Sequence, residues 1–287
     1  MAKSMPSVLV TLIGMLFAYF IYGRYSAEKS ATGRNDMRIV FAKDYAALSE
    51  IAADMVAEQI RTKPDSVVGL ATGNTPLGMY RELIKIHRQK QLSFCRMVTF
   101  NLDEYIALGK EDPHSYHYYM KHHFFRHVDI PEANQHIPNG EAGNIEQECL
   151  AYEQKIKEAG GIDLQILGIG RNGHIGFNEP DVRFTAATHR AELAESTIRA
   201  NSHCFSSLAQ VPRFAISMGI KTIMQARSIV ILVNGEDKAE VLDRALWGDI
   251  SPEIPASILQ LHQRVTVIVE ENAAKRLRMN QRWQQAV

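Results

Sequence analysis

The sequence predicts an α/β fold: a single doubly wound, mainly parallel sheet with helices on both faces, Rossmann-like in architecture and preceded by an apolar amino-terminal segment. Three observations carry that expectation. Short apolar runs recur along the chain, RIVFA near 38, VVGLA near 67, MVTFNL near 97, DLQILGIG near 163, SIVILVNG near 228 and VTVIVEE near 265. They lack the polar alternation of a half-exposed strand and read as strands buried on both faces. Stretches of helical period fill the gaps, over 45–62, 76–89, 144–159, 211–226 and 238–247, and strand alternating with helix means a parallel sheet. No repeat, low-complexity tract or Pro/Gly-rich linker divides residues 37–287, so they are expected to form one domain.

Composition narrows the function classes. The 287 residues are 46% hydrophobic and 22% charged, which excludes disordered, collagen-like and disulfide-scaffold chains. Lys plus Arg equals Asp plus Glu at 32 each, so no overall field favours nucleic acid, and an anionic partner must be small and locally bound. Cys95, Cys149 and Cys204 form neither a CxxC pair nor a disulfide framework, which suits the reducing cytoplasm, and each is expected to be a buried structural residue.

Residues 1–36 form an extension ahead of that domain. The 20 residues between Lys3 and Arg24 are uncharged, and as a helix they would reach about 30 Å, the depth of a bilayer core. A membrane anchor over residues 5–23 is one reading. Arg24, Lys29, Arg34 and Arg38 follow the run and only Lys3 precedes it, which would leave the large domain facing the cytoplasm. A cleaved signal peptide fits less well, because the run is long for one and YSAEKSATG has no small-x-small site. The third reading is a dispensable tail before a domain that opens at Met37.

Ligands on such sheets collect beyond the carboxyl ends of the strands. The first strand end reads GLATGNTP, from Gly69 to Pro76. Thr72, Gly73, Asn74 and Thr75 there compose a phosphate cradle at a helix start, or else a tight turn with a Thr cap; without GxxxxGK[ST] it is not a nucleotide P-loop. The second, TFNLDEY, runs a strand into Asp103 and Glu104. Side chains alternate, so one carboxylate faces the crevice as a candidate general base, the competing reading being a helix cap. The third, LGIGRNGHIGFNEP, spells GxGxxG across Gly168, Gly170 and Gly173, but Gly176, Asn178 and Pro180 predict a loop where a dinucleotide site needs a helix. His174 in that loop is a candidate proton carrier, with Glu179 as its partner. His123 and His127 have a zinc-like spacing with no HExxH glutamate or Cys pair, so they and His114, His117 and His122 are read as solvated helix residues, with no metal expected.

These strand ends, with DPHSYHYYM downstream of the second, resemble the glucosamine-6-phosphate deaminase family over residues 37 to about 270. The resemblance implies conversion of D-glucosamine 6-phosphate and water to D-fructose 6-phosphate and ammonia, without metal or organic cofactor, in a monomer or homo-oligomer. It implies that Asp103 moves a proton between C2 and C1 and that His174 opens the sugar ring, oriented by Glu179 and Asn172. Many relatives carry Asp where Asn172 stands. It further puts Thr72, Gly73, Asn74 and Thr75 around the phosphate with Lys238 as a cation over it. Two places depart from the family's RxANSR-like segment: Ile198 and His203 stand where arginines are usual, with Arg199 as the available substitute. Histidine is a weaker, pH-dependent donor, so phosphate affinity is expected to decline as pH rises through neutrality. The family's effector-site Arg and Lys have no match in 185–191, which argues against allosteric activation. A 6-phosphogluconolactonase or another sugar-phosphate isomerase is the nearest alternative, opposed by the Asp103 and His174 pair because lactone hydrolysis needs no C2 base. A sugar-phosphate-sensing module without turnover is the alternative from a different class.

Overall fold

The computed structural model describes residues 27–29 and 36–279; the anchor expectation for residues 5–23 lies outside them. Among the described residues no helix is long and apolar enough to cross a membrane.

The main sheet has eight strands. In chain order they are β1 (Ala27–Lys29), β2 (Asp36–Ala42), β3 (Val67–Leu70), β4 (Val98–Asn101), β6 (Gln135–His136), β7 (Leu164–Gly168), β10 (Ser228–Val233) and β11 (Arg264–Glu270). Across the sheet the order is β1-β2-β11-β10-β7-β3-β4-β6, and only the edge strand β1 is antiparallel to its neighbour. Helices α1 (Tyr45–Thr62), α2 (Asn74–Arg88), α3 (Tyr116–His123), α4 (Ile145–Glu158) and α7 (Ala239–Trp247) connect the strands. The six apolar runs are all strands, and the reason they lack alternation is visible in β10. Ile229, Ile231 and Val233 enter the core on one face, while Val230 and Leu232 enter the core on the other. Both faces are covered, so every position from Ile229 to Val233 is apolar.

A second sheet was not foreseen. β5 (Asp103–Tyr105), β9 (Phe214–Ser217) and β8 (His189–Glu192) pair antiparallel in the order β5-β9-β8. The expected helix over 211–226 is therefore corrected: it is β9 followed by the short α6 (Ile220–Met224). Ala215 and Ile216 are fully buried between two partner strands, so pairing and burial override the helical spacing. Cys149 is buried, as expected, whereas Cys95 is exposed.

Candidate active site

A cavity of about 710 Å³ opens at the carboxyl ends of β3, β4, β7 and β10. It brings together Thr72, Gly73, Asn74 and Thr75 from the first strand end, Asp103 from the second, and Asn172 and His174 from the third, with Arg199 and Lys238 on its rim. Glu179 stands behind His174, outside the lining, and His203 is not among the lining residues.

The cradle lies between β3 and α2. Gly73 sits at φ +96°, ahead of the first helical residue Asn74, a conformation that costs a residue with a Cβ but not glycine. No side chain caps this helix start, so its first-turn N–H groups and their partial positive charge face an incoming ligand. The Thr75 hydroxyl donates to Asn234 Oδ1 at 2.7 Å, tying the cradle to the end of β10.

The two adjacent carboxylates part as strand alternation requires. Asp103 lines the cavity at 6% exposure. Burial, reinforced by the neighbouring Glu104 charge, pushes its carboxyl up to about 8, the direction expected when charge is desolvated. Glu104 points the other way, fully buried, and accepts from the backbone N–H of Tyr105 at 2.8 Å and of Tyr116 and His117 at 2.9 Å. It thereby caps α3, so Glu104 takes the cap position and Asp103 is the carboxylate that faces the cavity. His117 Nδ1 also lies 2.9 Å from Glu104. His117 is thus an anchored partner of a buried carboxylate and not the solvated helix residue expected from sequence.

The loop after β7 is folded around an imidazole. The His174 ring packs so closely on Gly170 that a Cβ there would stand 2.3 Å from it, which leaves room for glycine alone. His174 Nδ1 lies 3.3 Å from Glu179 Oε2 and 3.4 Å from Thr197 Oγ1. The tautomer that donates from Nδ1 keeps Nε2 as the proton-accepting nitrogen. Asn172 braces this pair: its side-chain amide donates to Glu179 Oε2 at 2.7 Å and its Oδ1 accepts from the His174 backbone N–H at 3.3 Å. Burial raises the Glu179 carboxyl, but hydrogen bonds from His174, Thr197 and Asn172 with the His174 charge outweigh it, and the net shift is downward. The loop then docks on the small sheet, where the Phe177 N–H donates to Ser217 Oγ at 2.9 Å. Ser217 is the residue paired with Asp103 across β5 and β9, so this contact holds the imidazole loop against the carboxylate strand.

The cations come from two places. Burial, with a smaller contribution from nearby Arg171, lowers the Lys238 ammonium against the opposing pull of Asp237, and Arg171 pairs with Asp237 at 2.6 Å. On α5 (Glu195–Asn201), Ile198 is buried in an apolar cluster while the next residue, Arg199, lines the cavity. A step of one residue turns a helix by about 100°, so an arginine moved along by one reaches the site that Ile198 cannot. His203 is exposed, with Nδ1 2.8 Å from the Ala200 carbonyl, and this placement gives no support to a pH-dependent phosphate contact from it. Thr197, Asn234 and Tyr116 line the cavity too and carried no sequence signal beyond lying near a motif.

The chain has similar relatives over most of its length. A deaminase of Clostridium botulinum (strain Langeland / NCTC 10281 / Type F), named glucosamine-6-phosphate deaminase, is 53% identical over 243 residues, 85% of this chain and all of that protein. Its namesake from Clostridium acetobutylicum is 54% identical over 84% of this chain and all of that one. The solved structure of a monomeric glucosamine-6-phosphate deaminase superposes with a TM-score of 0.81 at 47% identity, covering 83% of this chain and 99% of that one. 6-Phosphogluconolactonase from Trypanosoma cruzi matches with a TM-score of 0.69 at 20% identity, over 87% of this chain and 98% of that one, a likeness of fold alone. The model of the glucosamine-6-phosphate isomerases/6-phosphogluconolactonase family matches residues 44–268, and with these identities over nearly the whole length of the relatives, the chain belongs to that family.

Proposed function

We propose that this protein is a glucosamine-6-phosphate deaminase, releasing ammonia and D-fructose 6-phosphate from D-glucosamine 6-phosphate and water. The observation that carries the reading is the meeting of Asp103 and His174 in one cavity beside the Thr72–Thr75 cradle. The phosphate sits at the start of α2, held by the cradle's N–H groups and the Thr72 hydroxyl and by Lys238 and Arg199. His174 moves the proton of the anomeric hydroxyl to the ring oxygen, and Glu179 with Asn172 holds the imidazole in the required orientation. Asp103 then takes the proton from C2 of the open aldehyde and returns it to C1. O1 gains a proton and the amino nitrogen gives one up, so the enolamine becomes a C2 imine beside a C1 alcohol, and water hydrolyses the imine to the ketone with loss of ammonia. One carboxylate serves both carbons because they are neighbours, and its raised proton affinity suits a group that must hold a proton between two steps.

A lactonase would need no such base. Ammonia release from glucosamine 6-phosphate, run beside hydrolysis of 6-phosphogluconolactone with wild type and Asp103→Asn, separates the readings. The proposal expects ammonia from wild type, almost none from the variant, and negligible lactone hydrolysis; lactone hydrolysis that survives in Asp103→Asn, without ammonia release, would replace it. The compartment we propose is the cytoplasm, where sugar phosphates are found, and the oligomeric state is a monomer like the solved relative. Membrane fractionation of the full chain against one beginning at Met37 tests the anchor over residues 5–23, and equal solubility would remove it.

A further inference from the structure

Three tyrosine hydroxyls, each from a different helix, close on the carbonyls of the cradle. Tyr80 on α2 donates to the Ala71 carbonyl at 2.6 Å, Tyr119 on α3 to that of Gly73 at 2.7 Å, and Tyr45 on α1 to that of Asn74 at 2.7 Å. A peptide carbonyl turned toward an anion repels it, whereas a carbonyl already engaged by a donor is held where it is and leaves its peptide's N–H side for the ligand. Gly73 has no side chain to restrain its backbone at φ +96°, so the hydroxyl on its carbonyl is a contact that holds the Gly73–Asn74 peptide in place. Burial pushes the Tyr80 and Tyr119 hydroxyls well above the ordinary tyrosine range, and both stay protonated donors at any working pH. Tyr119 is delivered by a helix whose first turn is pinned to Glu104, the neighbour of Asp103.

We infer that Tyr119 is a positioning residue for the phosphate cradle, holding Gly73 in its left-handed conformation so that the loop's N–H groups converge on the anion. The inference rests on the reading of Thr72–Thr75 as the phosphate site. It is tested on the full chain by steady-state kinetics with glucosamine 6-phosphate and by competitive inhibition with inorganic phosphate, in wild type, Tyr119→Phe and the control Tyr118→Phe. Tyr118 stacks on His122, ring centroids 3.7 Å apart, and is not among the cavity lining. Tyr119→Phe is expected to raise both KM and the phosphate inhibition constant by about 3- to 10-fold, the loss of one hydrogen bond, with kcat within about 2-fold and Tyr118→Phe unchanged. An unchanged KM and inhibition constant in Tyr119→Phe, or a fall in kcat alone, would overturn the inference. Inorganic phosphate that fails to compete even with wild type would overturn the phosphate-site reading and this inference with it. Should Tyr119→Phe melt well below wild type, Tyr45→Phe removes the corresponding bond from Asn74, and the same rise in both constants is expected there.

Discussion

The two sheets contribute different things to one cavity. The large parallel sheet contributes backbone: a helix start at Asn74, the Gly-rich turn that seats His174, and the strand end ahead of Lys238. The small antiparallel sheet contributes one side chain, the Asp103 carboxyl, buried and raised to about 8. In the proposed reaction the phosphate meets a helix start and its flanking cations, while the C2 proton is moved by a charge held where the protein resists it. The Phe177 to Ser217 hydrogen bond joins the two halves. Variants in each sheet should therefore fail differently.

The largest effect belongs to the carboxylate of the small sheet. Asp103→Asn should lower kcat by about 10³-fold or more, the scale of a removed general base, while making the fold more stable. The folded state binds this proton more tightly than the unfolded chain, so stability falls as pH rises from about 4 and the cost is complete above about 8. Relative to wild type, Asp103→Asn should melt higher at pH 8.5, by up to about 5 kcal/mol, with no gain near pH 4; calorimetry across that range checks it. If Asp103 is the base, the wild-type kcat/KM measured by ammonia release should show an acid limb near pH 8, with activity lost as pH falls through it.

His174→Gln comes next and should cost about 10²- to 10⁴-fold in kcat by the ammonia assay, with no comparable gain in stability, since the imidazole belongs to a braced loop and not to a buried strand. On the binding side, Arg199→Ala should raise KM by about 10-fold with kcat nearly unchanged, whereas His203→Ala should change KM by less than about 2-fold. The reverse ranking would return the phosphate contact to His203. The smallest effect is expected at the seam. Ser217→Ala leaves the Phe177 N–H without its partner, at about 1 to 3 kcal/mol of stability, and should lower kcat more than it raises KM, because it loosens the imidazole loop against the base and leaves the cradle alone.

What could be read in advance follows the same division. The parallel strands were legible because burial on both faces writes an unbroken apolar run, as in residues 229–233. The small sheet was not: β5 is three residues long and carries two acids, β8 is HRAE, and both take their strand character from pairing with β9. The Asp103 and Glu104 divergence was legible in kind, since alternation forbids a shared face, but which one turned inward depended on α3 supplying backbone N–H groups to Glu104. The tyrosines on the cradle gave no signal, because a hydroxyl that meets a carbonyl 29 or 46 residues away leaves no local pattern. Ile198 looked like a missing arginine until the helix phase showed Arg199 facing the cavity in its stead.

The central claim is that Asp103 alone carries the proton between C2 and C1. Turnover of glucosamine 6-phosphate in deuterium oxide, followed by proton NMR of the fructose 6-phosphate formed, tests it directly. A single base on one face predicts deuterium at only one of the two C1 positions with wild type, and neither labelled product nor ammonia with Asp103→Asn. Stereospecific labelling that persists in Asp103→Asn would contradict the account.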